Sequence, residues 1–387
     1  MIRRTSEREL LKLAHQFKAV AIVGPRQAGK TTLARMSFPN KDYVNLENPD
    51  VRRFALEDPR GFLANYPNGA ILDEVQRVPD LFSYLQEILD SKTDVGQFIL
   101  TGSNNFQLQE NISQSLAGRL AYLYLLPFSL EEWALDKTKL IHERIWEGSY
   151  PPVLDQNINP AKWFQNYIRT YVERDVRQLT NVTNLNDFEL FIRLCAGRTG
   201  QLLNKQSLSV EIGVDGKTIS SWLSILEQSF VLFRLQPHHR NFNKRLVKTP
   251  KLYFYDTGLV CALLGIQSPL QLRTHPLYGS IFESFVVSEL AKERFNEGLP
   301  KNLFFWRDNT GHEIDILMDF GTRLHPLEIK SGQTINSSFF KGLNYWEKLT
   351  GQSAGTIIYS GEQTQQRSND RRVISIRDLA NLQINKD

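Results

Sequence analysis

Gly24-Pro25-Arg26-Gln27-Ala28-Gly29-Lys30-Thr31-Thr32 decides how the rest of the chain is read. The apolar run Ala19-Val20-Ala21-Ile22-Val23 leads into it and has the character of a buried parallel strand. Behind it, Thr32-Leu33-Ala34-Arg35-Met36 opens a helix that must stop by Pro39. Strand, G-x-x-x-x-G-K-[ST] loop and helix make a phosphate-binding loop in the context that confirms the motif. Gly24 and Gly29 let the backbone wrap a polyphosphate, and the loop N–H groups with the helix N-terminus supply a positive field. Lys30 reaches the β- and γ-phosphates, and the Thr31 hydroxyl is placed to ligate Mg²⁺. The chain binds a nucleotide.

Its 387 residues suggest two or three domains, and 41% hydrophobic with 23% charged residues is ordinary for globular proteins. The net charge of +4 permits a polyanionic partner without requiring one, so local distribution has to decide. Cys195 and Cys261 are the only cysteines, which excludes a Cys-rich zinc site and a disulfide framework and fits a reducing cytoplasm. No apolar leader follows Met1, and no stretch approaches the length of a membrane span.

Ala70-Ile71-Leu72-Asp73-Glu74 reads as another strand, ending in two acids at its carboxyl edge, where open α/β sheets bind ligands. Asp73 suits the shell of the Mg²⁺ ion and Glu74 the activation of attacking water. Tyr43-Val44-Asn45-Leu46-Glu47 and Gln97-Phe98-Ile99-Leu100-Thr101 are further strands. After the latter, Ser103 or Asn104 either senses the γ-phosphate or simply serves the turn that Gly102-Ser103-Asn104-Asn105 favours. Arg119, before the strand Leu120–Leu126, is a candidate arginine finger in cis or in trans, or an ordinary surface arginine.

Lys162–Leu179 carries apolar residues at helical spacing and reads as one long amphipathic helix. Ser207–Ile212, the turn Gly213–Gly216 and Lys217–Gln228 read as helix-turn-helix, with Trp222 either in the core stripe or projecting. Phe230–Leu235 then makes the unit a winged helix. From Gln228 to Tyr255 there is no acid, in a chain with 42 of them, but Arg234, Arg240, Lys244, Arg245, Lys248 and Lys251 are present. DNA phosphate is the natural partner, with Lys217, Arg240, Lys244, Arg245 and Lys248 as contacts; a solvated loop or a protein contact is the alternative.

Near the carboxy terminus, Gly279–Phe295 reads as a helix bearing Glu283, and Leu303–Arg307, Glu313–Met318 and Leu324–Lys330 read as strands. A helix, Ser337–Leu349, and a strand, Gly355–Tyr359, complete an α/β unit. Period two puts Glu328 and Lys330 on one face, and hairpin pairing brings Asp315 to it. This D…E-x-K arrangement resembles the PD-(D/E)xK nuclease fold. There two carboxylates hold Mg²⁺ and the lysine positions water, so Asp315, Glu328 and Lys330 are catalytic candidates and Glu283 an additional metal acid.

The motifs Gly24–Leu33, Val44–Glu47, Leu72-Asp73-Glu74-Val75-Gln76, Leu100–Ser103, Leu116–Arg119 and Leu126–Glu132 resemble, in order, an AAA+ ATPase family of bacteria and archaea. Lys251–Gly258, Gly279–Glu283 and Glu313–Lys330 extend the resemblance over most of the chain. It implies ATP rather than GTP, a helical lid and a possible homo-oligomer through the ATPase domain. The expected fold is α/β: a P-loop AAA+ parallel-sheet core (1–135), a helical lid and linker (136–185), a winged helix (186–255) and a small nuclease-like α/β domain (256–387). The expected function is ATP hydrolysis that controls DNA engagement or metal-dependent cleavage; the alternative is an ATP-dependent switch that cuts nothing.

Overall fold

The computed structural model describes residues 2–102, 116–133, 138–171, 184–240, 246–368 and 370–382. Five strands form the first sheet: β1 (Ala19–Val23), β2 (Asp42–Asn45), β3 (Ala70–Asp73), β4 (Phe98–Thr101) and β5 (Leu120–Tyr124). All pairings are parallel, in the order β2-β3-β4-β1-β5. β1 lies at the inner part of the sheet and is buried along its whole length, which is why its sequence is uninterrupted apolar. Gly24 follows it where a Cβ would stand 2.0 Å from the carbonyl oxygen of Leu125, so only glycine lets the loop leave the sheet here. Gly29, left-handed at φ 91°, then starts the helix Lys30–Ser37.

The next segment is helical. Ile141–Glu147, Pro151–Asp155 and Pro160–Thr170 follow the sheet, the last capped by the Asn159 side chain. Of the long helix expected over Lys162–Leu179, the structure describes the part ending at Thr170; Val172, Val176 and Leu179 lie outside the described residues. Helices Lys205–Ile212 and Gly216–Gln228 form a pair, and the Asp215 side chain caps the second by accepting from the Thr218 N–H. Trp222 does not project: it packs between Phe188 and Phe191, with ring centroids at 5.4 and 5.3 Å. β6 (Leu232–Leu235) leaves the pair and joins β7 (Lys251–Phe254) in an antiparallel ribbon.

The second sheet is mixed and runs in the order β12-β13-β11-β10-β9-β8. Its strands are β8 (Leu303–Arg307), β9 (Glu313–Asp319), β10 (Leu324–Lys330), β11 (Gly355–Tyr359), β12 (Gln365–Gln366) and β13 (Arg371–Ser375). The long helix Tyr278–Asn296 packs on β10 and also touches β5 of the first sheet. The chain between β6 and β7 is stitched to the outer side of β8. Phe305 donates to the Gln236 oxygen at 3.2 Å, His238 N–H to the Phe305 oxygen at 2.7 Å, and Val247 N–H to the Arg307 oxygen at 3.1 Å. Gln236, His238 and Val247 of the acid-free stretch thus lie at the second sheet's margin.

One apolar core runs from Ala19 through Phe164 and Leu259 to Ile374. A buried polar chain crosses it. Asp256 accepts from the Ser149 N–H and hydroxyl at 2.7 and 2.8 Å. Lys292 of the long helix donates to the Ser149 hydroxyl at 2.9 Å, to the Phe128 oxygen at 3.0 Å and to Glu289 at 2.7 Å. The helix Thr257–Leu263, read from sequence as the start of the last domain, packs on the helices Ile141–Glu147 and Pro160–Thr170. No helix among the described residues is long and apolar enough to cross a membrane.

Candidate functional site

The phosphate-binding loop opens into a cleft of about 600 Å³. Arg26, Gln27, Gly29, Lys30, Thr31 and Thr32 form one side; Glu74 and Glu47 come from the ends of the neighbouring strands. The opposite wall is aromatic: Trp163, Tyr167 and Tyr171 line it, with Trp163 and Tyr167 stacked at 5.0 Å and Tyr167 and Tyr171 at 6.3 Å. Pro25 and Ala28 complete the loop. Lys30 is buried, and its ammonium donates to the loop's own oxygens, Gly24 at 3.0 Å and Pro25 at 2.7 Å. Polyphosphate oxygens are the stronger acceptors for the same donor.

Thr31 Oγ1 stands 3.0 and 3.1 Å from the two carboxylate oxygens of Asp73. Tyr43 OH donates to Asp73 Oδ2 at 2.8 Å, and Thr101 Oγ1 also donates to Asp73. Burial and the Asp73 charge hold the Tyr43 phenol well above its ordinary range, so it remains a donor. A hydroxyl beside a hydroxyl-braced carboxylate, at the mouth of a phosphate loop, is a hard-oxygen set that fits Mg²⁺. Glu74 follows Asp73 in a left-handed conformation, φ 55° and ψ 42°, and Gln76 Nε2 donates to it at 2.5 Å. Gln27 is left-handed too, at φ 59°, so two strained non-glycine residues face one cleft.

Arg119 is elsewhere. In the β1–β5 register Ala19 pairs with Leu120 and Val23 with Tyr124, which puts Arg119 at the edge opposite the loop, about 16 Å away along the strands. It makes a bidentate pair with Asp90 at 2.5 and 2.9 Å. A finger acting on its own chain's nucleotide does not fit that placement. Ser103 and Asn104 lie outside the described residues.

Sequence reasoning passed over Arg4. Its guanidinium is buried and donates to the Ala28 oxygen at 2.8 Å, the Leu126 oxygen at 2.6 Å and Glu132 at 3.0 Å. It braces the phosphate loop from behind; only the rarity of a buried arginine marks it, and burial is not readable from the sequence. Tyr43 was likewise read only as a strand residue.

The second cluster lies on β9, β10 and the long helix. Ile329 N–H donates to Asp315 Oδ2 at 2.8 Å, which locks Asp315 beside β10. Lys330 Nζ stands 2.5 Å from Glu328 and 3.4 Å from Asp315. Burial, reinforced by the Asp315 charge, pushes Glu328 up to about 8. Burial alone would lower Lys330, but Asp315 and Glu328 outweigh it and hold the ammonium above its usual range. Glu328 Oε1 is buried without a hydrogen-bond partner, and a Cβ on Gly342 would stand 2.0 Å from it.

Glu283 belongs to an adjoining group. Lys251 Nζ pairs with Glu283 at 3.0 Å and Glu313 at 2.5 Å, and Tyr253 OH donates to Glu283 at 2.5 Å. Burial raises the Glu283 carboxyl, opposed by Lys251 and aided by Asp315. Lys251, one of the basic residues of the acid-free stretch, is therefore consumed by carboxylates, and Arg234 is consumed by Glu227. Glu313 was missed, although Glu313-Ile314-Asp315 has the spacing that puts both acids on one face. The oxygens of Asp315 and Glu328, one of them an orphan, fit a divalent ion in kind. Among the described residues, however, no group of three or more His, Cys, Asp or Glu is arranged to hold one.

Of the proposed DNA contacts, Arg240 is exposed just after His238, which bonds to β8, Lys248 follows Val247, and Lys217 lies in the first turn of the second helix of the pair. Lys244 and Arg245 lie outside the described residues. Trp306 Nε1 donates to the Arg240 oxygen at 3.3 Å, which ties the segment to the second sheet.

Residues 16–134 match the family described as AAA domain, so the first sheet is the core of an AAA ATPase, a fold that binds and hydrolyses ATP. Residues 138–270 and 278–379 match two families described as domains of unknown function, DUF8612 and DUF4143. The uncharacterized proteins Rv2008c of Mycobacterium tuberculosis and Mb2031c of Mycobacterium bovis are each 33% identical over 339 residues, 86% of this chain and 74% of theirs. Among solved structures, the Walker-type ATPase paby2304 of Pyrococcus abyssi aligns with a TM-score of 0.44 and 12% identity, over 67% of this chain and 94% of that one.

Proposed function

This chain belongs to the family of Rv2008c and Mb2031c and carries an AAA domain; we propose that it is an ATPase that acts on DNA, with hydrolysis controlling engagement or metal-dependent cleavage. In the ATPase cleft, Lys30 binds the β- and γ-phosphates, Thr31 and Asp73 would hold Mg²⁺, and Glu74 takes the proton of the attacking water. Mg²⁺, when bound, neutralises charge on the transferring phosphoryl group. Arg119, paired with Asp90 away from the loop, is a surface arginine or a finger for a neighbouring subunit's nucleotide, and only the second role needs a homo-oligomer.

The observation that carries the DNA part is the seating of Lys330 between Asp315 and Glu328, on a sheet whose margin is covered by the basic segment after β6. The helix pair Lys205–Ile212 and Gly216–Gln228 with the β6–β7 ribbon is a winged helix in this reading, and the sheet with Asp315, Glu328 and Lys330 is a PD-(D/E)xK nuclease-like domain. Asp315 and Glu328, with Glu283 further out, would hold the divalent ion, and Lys330 would orient water. ATPase and nuclease assays on one preparation, with and without DNA and Mg²⁺, test it. Cleavage lost in Asp315→Ala, Glu328→Ala and Lys330→Ala, with basal ATP hydrolysis retained, is the expected result.

A second reading is an ATP-dependent switch whose last domains bind DNA or protein without cutting. It is favoured by the Lys330 ammonium, which already supplies positive charge to both carboxylates. Cleavage of no duplex, branched or single-stranded DNA by a protein that hydrolyses ATP would select it.

A further inference from the structure

A second cleft, of about 650 Å³, opens beyond the carboxyl ends of β10 and β11. Its other wall comes from residues just after the AAA domain, including His142. The cleft is not part of the Asp315 cluster, but it is joined to it. Ser360 N–H donates to the Lys330 oxygen at 3.2 Å, and Gln333 lies three residues beyond Lys330, within about 10 Å of chain.

The lining has a distinct chemistry. Among the described lining residues there are two guanidinium groups, Arg367 and Arg377, and one carboxylate, Glu362, so the cleft favours an anion. Arg377 is held at the mouth by a hydrogen bond to the Lys139 oxygen at 3.2 Å, and Arg367 stands over the Phe340 ring at 5.9 Å. Gln333, Gln363 and Gln365 add side-chain amides, of which Gln365 Nε2 donates to Gln363 Oε1 at 3.1 Å and leaves the Gln363 Nε2 donors for a base edge. Guanidinium groups suit phosphate for the same geometric reason that they suit carboxylate. The volume lies within the range of about 300–1,000 Å³ that holds small ligands. Parallel strands also present ligand sites at their carboxyl ends.

We infer that this cleft binds one nucleotide unit of a single-stranded nucleic acid, with phosphate on Arg367 and Arg377 and a base edge on Gln333 and Gln363. The strand is single because the amides are assigned to the Watson–Crick edge of the base, which pairing would cover. The inference rests on the nucleic-acid reading above for the polymer's identity, and it does not require that the Asp315 cluster cuts. A strand seated here would bridge the residues after the AAA domain and the second sheet.

The test is binding of a short fluorescent oligothymidylate by the full-length Lys30→Ala protein in EDTA, followed by anisotropy over a salt series. Lys30→Ala removes phosphate binding in the ATPase cleft, and EDTA removes cleavage. Arg367→Gln, at an exposed position, should lower the salt slope by about 0.7, and Arg367→Gln with Arg377→Gln by about 1.4. The double variant should bind at least about tenfold more weakly. Thymidine monophosphate should displace the oligonucleotide. Parent affinity and slope in both variants would overturn the inference, as would displacement by a polyglutamate peptide but not by the nucleotide. Cutting is measured separately with Mg²⁺ on the parent, so failure of the cleavage reading and failure of this one give different results.

Discussion

Glu289 accepts a hydrogen bond at 2.5 Å from the backbone N–H of Leu130, a residue of the AAA segment's last helix. The same carboxylate pairs with Lys292, and both side chains are almost wholly buried. The long helix of the C-terminal half is therefore anchored inside the ATPase half by charge as well as by apolar packing.

Breaking that pair from one side should be costly. Lys292→Met leaves Glu289 buried and uncompensated, with an expected loss of about 3–5 kcal/mol. Changing Glu289→Gln together with Lys292→Met should lose less, because no lone charge remains. Thermal denaturation of the two variants measures the difference, and equal losses would count against the argument.

In the ATPase cleft, Lys30→Ala should lose ATP binding, because it removes the charge facing the phosphates. Glu74→Gln should bind ATP but hydrolyse it slowly, which appears as a fall in kcat with little change in nucleotide affinity. Hydrolysis at the parent rate by Glu74→Gln would reassign the water-activating group.

Changing Lys244, Arg245 and Lys248 together to Gln should weaken duplex binding and reduce its salt slope by up to about 2.7. ATP hydrolysis without DNA should survive. An unchanged slope would move the DNA surface away from the segment along β8.

His325 gives a pH signature. It is held down to about 4 by burial first and by the nearby Arg323 and Arg372 charges second, while its ordinary value is 6.5. The unfolded chain therefore binds the proton more readily, and the stability His325 confers is full above about pH 6.5. It is lost as pH falls from there toward about 4, by up to about 3 kcal/mol. The drop in melting temperature across that window should shrink in His325→Asn; an identical drop would show that other groups carry it.

The ATPase core was legible because its signals are local. Glycines at fixed spacing, a wholly apolar β1 and acids closing β3 each state their conformation within a few residues. β13 was not legible: Arg371-Arg372-Val373-Ile374-Ser375 starts with two cations and is a strand through its pairing with β11. Tyr43 could be placed on β2, but its bond to Asp73 depends on the parallel register between β2 and β3. The partners of Lys251 are hidden in the sequence for a related reason. A run without acids in sequence met two acids in space, Glu283 from the long helix and Glu313 from β9.

The chain drawn along β8 also limits how copies of this protein can join. A six-stranded sheet has two margins at which a second polypeptide can add backbone hydrogen bonds, and an open margin invites aggregation. Here β8 is met by the protein's own Gln236–His238 and Val247, and the far margin ends in the two-residue β12. Continuous strand exchange through this sheet is thereby discouraged at both ends. Self-association would have to be built from side-chain surfaces, and the rotation between neighbours would then decide between a closed ring and an open filament.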